Sequence, residues 1–132
     1  MKKLILLSTS LIFIFAGCNK EVIIEGRWLA ESYQTHPDSA KITTQNEYFL
    51  TLDNKKQYSF SLDANICGGE IIFKKDKSVV ISDAACTLAC CDSQFPSFII
   101  SNLQRVNMYE LTENQLIFKN KSPFLNITFK KK

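Results

Sequence analysis

Four cysteines carry most of the chemistry this sequence offers. Cys86-Thr87-Leu88-Ala89-Cys90-Cys91 places three thiols within six positions, and Asn65-Ile66-Cys67-Gly68-Gly69 supplies a fourth. A fifth, Cys18, closes an apolar N-terminal stretch. Thiols grouped in this way can form disulfides, hold a soft metal such as zinc or copper(I), or run thiol–disulfide exchange. Structural zinc sites more often draw on two Cys-x-x-Cys pairs, and Cys-x-x-x-Cys-Cys with Cys67 departs from that pattern. Exchange chemistry lacks a Cys-x-x-Cys and a basic neighbour in sequence to lower a thiol pKa. A metal site built from Cys67, Cys86, Cys90 and Cys91 is therefore the alternative to disulfides, and a redox pair ranks third.

The compartment helps to decide between them. Lys2-Lys3 is followed by an apolar run from Leu4 to Phe15, shorter than the roughly 20 residues a membrane span needs. This is the layout of a secretory signal peptide. Ala16-Gly17 directly before Cys18 resembles a bacterial lipobox, although Phe15 stands where an aliphatic residue is usual. The resemblance implies cleavage after residue 17, a diacylglycerol on the Cys18 sulfur and an acyl chain such as palmitate on the new amine. More than one chain gives stable anchoring where a single chain does not. Asn19 gives no inner-membrane retention signal under enterobacterial rules, so the expected location is the outer membrane of a bacterial envelope. With Cys18 used for lipid, four cysteines remain, an even number in an oxidising compartment, which predicts two disulfides. Four cysteines allow three pairings. Cys90 with Cys91 is expected to be unfavourable, because adjacent residues close a strained ring. Cys67–Cys90 with Cys86–Cys91, or Cys67–Cys91 with Cys86–Cys90, remain.

Other chemistry has little support. His36 is the sole histidine, and no Gly-x-Ser-x-Gly elbow accompanies it, so His36-Pro37-Asp38 reads as a solvated loop. Asp63, Glu70, Asp83 and Asp92 could be paired as acid and base on paper, but turn and strand-end carboxylates are usually solvated. No phosphate-binding glycine loop and no His-Glu-x-x-His is present. Without Lys2 and Lys3, 14 basic residues face 13 acidic ones, a balance that excludes a nucleic-acid binder of the ordinary basic kind. Lys74-Lys75-Asp76-Lys77 and Lys130-Lys131-Lys132 read as solvated charge runs. Asn126-Ile127-Thr128 matches a glycosylation acceptor but alternates like a strand. The reading is of a non-enzyme without a cofactor.

The elements that must position the cysteines are mostly strands. The 132 residues suffice for one domain, which at this size buries roughly two-thirds of its unfolded surface. Residues 18–26 are expected to be a tether and 27–132 the domain. Arg27 to Tyr33 reads as a first strand anchored by Trp28, and residues 35–46 as a loop. Tyr48, Leu50 and Leu52 alternate with Phe49 and Thr51, Tyr58, Phe60 and Leu62 alternate with Ser59, Ser61 and Asp63, and the turn between the two runs makes a hairpin. Gly68-Gly69 is expected to break or bulge a strand before Glu70–Lys74 and Ser78–Ser82. Phe95, Phe98, Ile99, Asn102 and Leu103 fall at helical spacing, which predicts an amphipathic helix over 93–104 with Pro96 in its first turn. Val106–Leu111, Leu116–Lys119 and Phe124–Lys130 close the chain as strands. The expected class is α+β, mainly β: an antiparallel sheet curled into an open barrel with one inserted helix.

The order of these features resembles a known family. A Trp strand, a hairpin, a Cys-Gly segment, a Thr-x-Ala-Cys-like segment and a helix precede Leu103, Val106, Tyr109 and Leu111, then Leu116-Ile117-Phe118. This resembles the META domain, or HslJ-like family, of bacterial envelope proteins over roughly Arg27 to Phe129. The family's middle motif is Gly-Cys-Asn followed by Gly-x-Tyr; here Asn65-Ile66-Cys67-Gly68-Gly69 alters the order. Its later Thr-x-Met-Ala-Cys places Cys90 on the final cysteine, Cys86 on the threonine and leaves Cys91 as an addition. The resemblance thereby favours Cys67–Cys90 with Cys86–Cys91. It implies an envelope lipoprotein with a structural or binding role linked to envelope stress, no catalytic residues, and a membrane contact through its lipid. It names no protein or small-molecule partner.

Overall fold

The computed structural model describes residues 20–132. The signal peptide expected over residues 1–17 and the acylation expected at Cys18 lie outside the described residues. In chain order the strands are β1 (Glu21–Val22), β2 (Gly26–Gln34), β3 (Ile42–Thr43), β4 (Phe49–Leu52), β5 (Gln57–Ser61), β6 (Ile66–Lys74), β7 (Val79–Ile81) and β8 (Ala85–Cys86). Helix α1 (Gln94–Asn102) and a 3-10 turn (Leu103–Arg105) follow, then β9 (Met108–Leu111), β10 (Gln115–Lys121) and β11 (Phe124–Lys131).

These strands form an antiparallel sheet in the order β1-β6-β5-β4-β2-β11-β10-β9, with β3 added to β2 and β7 and β8 added to β6. The sheet curls into a half-barrel, as the mainly-β α+β reading expects. Its two ends approach at a bridge between Ser78 and Met108. Val79 N–H donates to Asn107 O at 3.1 Å and Tyr109 N–H to Lys77 O at 2.9 Å on either side of that bridge.

Period-two alternation turns one face of each strand inward. Leu50 faces Phe60 and Leu52 faces Tyr58 across the β4–β5 hairpin, and all four are buried. Leu116 and Phe118 of β10 join Ile127 and Phe129 of β11 in the same interior, all fully buried. Phe129 meets Phe118 edge-on at 5.6 Å and Phe60 at 6.4 Å. Each such side chain contributes roughly 1.5–3 kcal/mol by leaving water, so the aromatic interior, rather than any one hydrogen bond, holds the curl. Trp28 is buried as expected, 2 % exposed, although its indole N–H meets no acceptor among the described residues.

The predicted helix forms within one or two residues of its expected bounds. Ser93 takes an extended N-cap conformation and Pro96 sits in the first turn, where a missing N–H costs nothing. Phe95, Ile99, Ile100 and Leu103 are buried on one face. Tyr33 of β2 stacks on Phe98 at 3.9 Å and also meets Phe95 at 5.4 Å, which docks the helix on the sheet.

Three local expectations are corrected. Part of the 18–26 tether belongs to the fold: β1 pairs with β6, Glu21 opposite Lys74 and Val22 opposite Phe73, and Ile24 is buried in the core. An isolated two-residue strand carries too little periodicity to be seen in sequence. Residues 35–46 likewise include β3, which pairs with Ser32 and Tyr33. The glycine pair does not break its strand, for β6 runs unbroken from Ile66 to Lys74. A Cβ at Gly68 would stand 2.8 Å from Tyr58 O, and one at Gly69 would stand 2.6 Å from Ser82 Oγ and 3.0 Å from Asp83 O. These glycines serve close approach of neighbouring chain rather than a bend.

Candidate functional site

Strand β6 delivers Cys67 to the core, 1 % exposed, directly opposite Cys86 of β8. Their Cα atoms are 4.0 Å apart, and a disulfide joins them. The second disulfide joins Cys90 to Cys91. Two disulfides are thus present, but neither Cys67–Cys90 nor Cys86–Cys91 is formed, and the adjacent pair expected to be unfavourable is made. The physical reason is register. Antiparallel pairing of β8 with β6 brings Cys86 to Cys67 first, and by Ala89 the chain has passed alongside Asn65. Cys90 and Cys91 are then left to each other. The turn is taken at Cys91, whose φ of 85° is a left-handed conformation costing a non-glycine residue ~1–2 kcal/mol. The soft-metal alternative needs four thiolates, whereas here the four sulfurs are bonded to one another.

Asn65 organises the loop between the disulfides. Its side chain, on a residue only 8 % exposed, donates from Nδ2 to Ala89 O at 2.8 Å and to Asp92 Oδ2 at 2.5 Å. Its Oδ1 accepts from Ala89 N–H at 2.8 Å and from the Thr87 hydroxyl at 2.9 Å. An amide side chain offers two donors and two lone pairs, and all four are used. Thr87 is further held by its N–H to Ile66 O at 3.1 Å, while its Oγ1 accepts from Ile66 N–H at 3.0 Å. Asp92 Oδ1 accepts from Ala64 N–H at 2.8 Å and Asn65 N–H at 3.3 Å.

A second carboxylate anchors the helix entrance. Asp63 accepts from the Ser93 hydroxyl, from Ser93 N–H at 2.7 Å and from Tyr48 OH at 2.9 Å. The Ser93 hydroxyl and N–H hold the Asp63 carboxyl below the usual carboxylate range, with Tyr48 adding to them. The Ala64 N–H and the Asn65 amide do the same for Asp92. Both carboxylates are thereby engaged as hydrogen-bond acceptors at the helix entrance and the loop. Glu70 and Asp83 are exposed and apart from this network, and His36 is exposed, its Nδ1 accepting from Asp38 N–H at 3.2 Å.

No family model and no curated protein matches the chain. Among solved structures it is similar to a DUF4847 family protein from Bacteroides vulgatus ATCC 8482, determined at 1.00 Å resolution, with a TM-score of 0.62 and 13 % identity. The match covers 80 % of this chain and 92 % of that one. The likeness is one of fold.

What these elements present outward is the loop itself. Every residue from Ala85 to Cys91 is exposed, and Leu88 is fully so, at 102 %. Clefts nearby are shallow; one of about 350 Å³ beside Cys86 is lined by Asp83, Ala84, Ile100, Ser101 and Gln104. Among the described residues no group of three or more His, Cys, Asp or Glu is placed to hold a metal ion. Sequence reasoning found the four cysteines but missed Asn65 and Leu88. Asn65 looks like an ordinary strand-end residue, and nothing local shows that its side chain is turned onto a segment 24 residues later.

Proposed function

We propose that this chain is a lipid-anchored, non-enzymatic binding protein of the bacterial envelope, held at the outer membrane, with a META-like domain whose first strand begins at Glu21. The observation that carries the reading is the closed set of domain cysteines, Cys67 with Cys86 and Cys90 with Cys91. These pairs suit an oxidising compartment and leave Cys18, directly after Ala16-Gly17, as the cysteine of the sequence that they do not use. The β-rich fold with one helix between the hairpins supports the META resemblance. A binding role is favoured because the carboxylates nearest the braced loop serve as hydrogen-bond acceptors and the loop is fully displayed. From Cys18 to Glu21, where β1 begins, is at most ~11 Å of chain, so a lipid there would hold the domain against the headgroups.

Intact-mass measurement of the protein from a bacterial membrane fraction tests this. The expected mass is that of the chain from Cys18 with acyl chains attached, and Cys18→Ser is expected to abolish acylation. An unlipidated mature chain beginning elsewhere would overturn the anchor. Thiol counting on denatured, unreduced protein tests the cysteine argument: no reactive thiol at positions 67, 86, 90 and 91 is expected. Four free thiols with bound zinc or copper would restore the metal reading.

A further inference from the structure

Leu88 is a large apolar side chain displayed at the tip of a heavily braced segment. Leaving it in water forgoes the free energy that burial of an apolar side chain releases. A mobile loop could fold such a residue inward, but this one is fixed on both sides. Cys86 is bonded to buried Cys67, Thr87 is tied to Ile66 and Asn65, Ala89 is held by Asn65 at both N–H and C=O, and Cys90 is bonded to Cys91. Thr87–Ala89 is neither helix nor turn. No charged residue occurs from Ala84 to Cys91, and Ile66, 60 % exposed on the adjoining strand, adds a second apolar side chain beside the loop.

An endopeptidase cleft takes peptide backbone in extended form, with one side chain seated in a specificity pocket just before the scissile bond. We propose that the loop Cys86–Cys91 is a substrate-like inhibitory loop for a serine endopeptidase whose pocket accepts large apolar side chains. Leu88 is its anchor, and Leu88–Ala89 is the bond presented to the nucleophile. The fit is to a serine rather than a thiol enzyme, because an attacking thiolate would exchange with the neighbouring disulfides.

The bracing explains why such an encounter inhibits. The protease serine Oγ adds to the Leu88 carbonyl carbon, the Leu88–Ala89 C–N bond breaks, and the serine proton passes through the enzyme's imidazole to the Ala89 nitrogen. In a loose peptide the amine departs and water hydrolyses the ester. Here the amine stays, because Asn65 accepts from Ala89 N–H and donates to its C=O, while the acyl side stays attached through Cys86 to Cys67. The retained amine re-forms the peptide bond and the proton returns to the serine. A loop ordered before binding also avoids the ordering cost that weakens flexible ligands.

Chymotrypsin acting on a chromogenic peptide is the probe, with the oxidised full chain added in detergent. Competitive inhibition is expected, with little or no cleavage at Leu88–Ala89. Leu88→Asp should weaken inhibition at least ~30-fold with an unchanged melting profile, since the side chain is fully exposed. Leu88→Lys should transfer inhibition to trypsin. Asn65→Ala keeps the anchor and frees the amine, so it should convert the chain from inhibitor to substrate cut after Leu88. Unchanged chymotrypsin activity under excess protein would overturn the proposal. So would inhibition that survives Leu88→Asp, or wild-type cleavage as fast as that of Asn65→Ala.

Discussion

The side chain of Asn65 grips the peptide of Ala89 from both directions, donating to its carbonyl and accepting from its N–H, each at 2.8 Å. One amide thereby replaces the paired strand that the loop lacks. Asn65→Ala should destabilise the domain by about 2 kcal/mol, since the loop partners it abandons are partly open to water. Asn65→Asp should be worse at neutral pH, because it sets a second carboxylate beside Asp92 and loses the donor. Part of that loss should be recovered on mild acidification. Urea unfolding followed through the single, buried Trp28 measures both.

Acid sensitivity should trace to Asp63 and Asp92. Both have folded pKa values lowered by hydrogen bonds to their ionised forms. Their stabilisation is therefore present above the unfolded value of roughly 3.9 and is lost as pH falls toward and through the lowered folded value. Stability should be nearly level from pH ~7 to ~5 as far as these groups are concerned, then fall below pH ~4. Asp63→Asn and Asp92→Asn should each lower the neutral-pH plateau and flatten the acid limb. A pH series of denaturation midpoints decides it; an acid limb as steep in the double variant would remove these carboxylates as its cause.

The glycines of β6 should be separable by a rescue experiment. Gly68→Ala meets a backbone oxygen, Tyr58 O, which cannot swing aside. It should cost about 1–3 kcal/mol whatever its neighbours. Gly69→Ala meets Ser82 Oγ first, so Ser82→Ala should recover part of its cost and none of that of Gly68→Ala. Midpoints of the four variants supply the comparison.

The two disulfides should differ in stabilising effect. Cys67–Cys86 closes a sequence separation of 19 and, on the chain-entropy model, contributes about 3 kcal/mol. Cys90–Cys91 closes almost nothing and should contribute about 1 kcal/mol or less. Paired alanine replacement at 67 and 86 should thus shift the unfolding midpoint far more than paired serine replacement at 90 and 91.

Where sequence was informative, it was through repetition. Tyr48, Leu50, Leu52 and Tyr58, Phe60 alternate, and that alternation found the β4–β5 hairpin; the spacing of Phe95, Ile99 and Leu103 found the helix. Where only register decides, sequence was silent. The pairing of Cys67 with Cys86 follows from how β8 lies along β6, a relation among residues 19 apart with no local signature. The family resemblance, which favours pairing Cys90 with Cys67, points to a different partner from the Cys86 that the register supplies. Gly68-Gly69 carried a true signal of close approach that is indistinguishable in sequence from a bulge.

Strand β6 also sets a distance. Ile66, at one end, borders the displayed loop, and Lys74, at the other, pairs with Glu21 where the described chain enters the fold. Eight residue steps at roughly 3.3 Å separate them by ~26 Å. On the lipid-anchored reading the strand acts as a mast, raising Leu88 clear of the bilayer that holds the chain's other end. A partner would then meet the loop from the aqueous side.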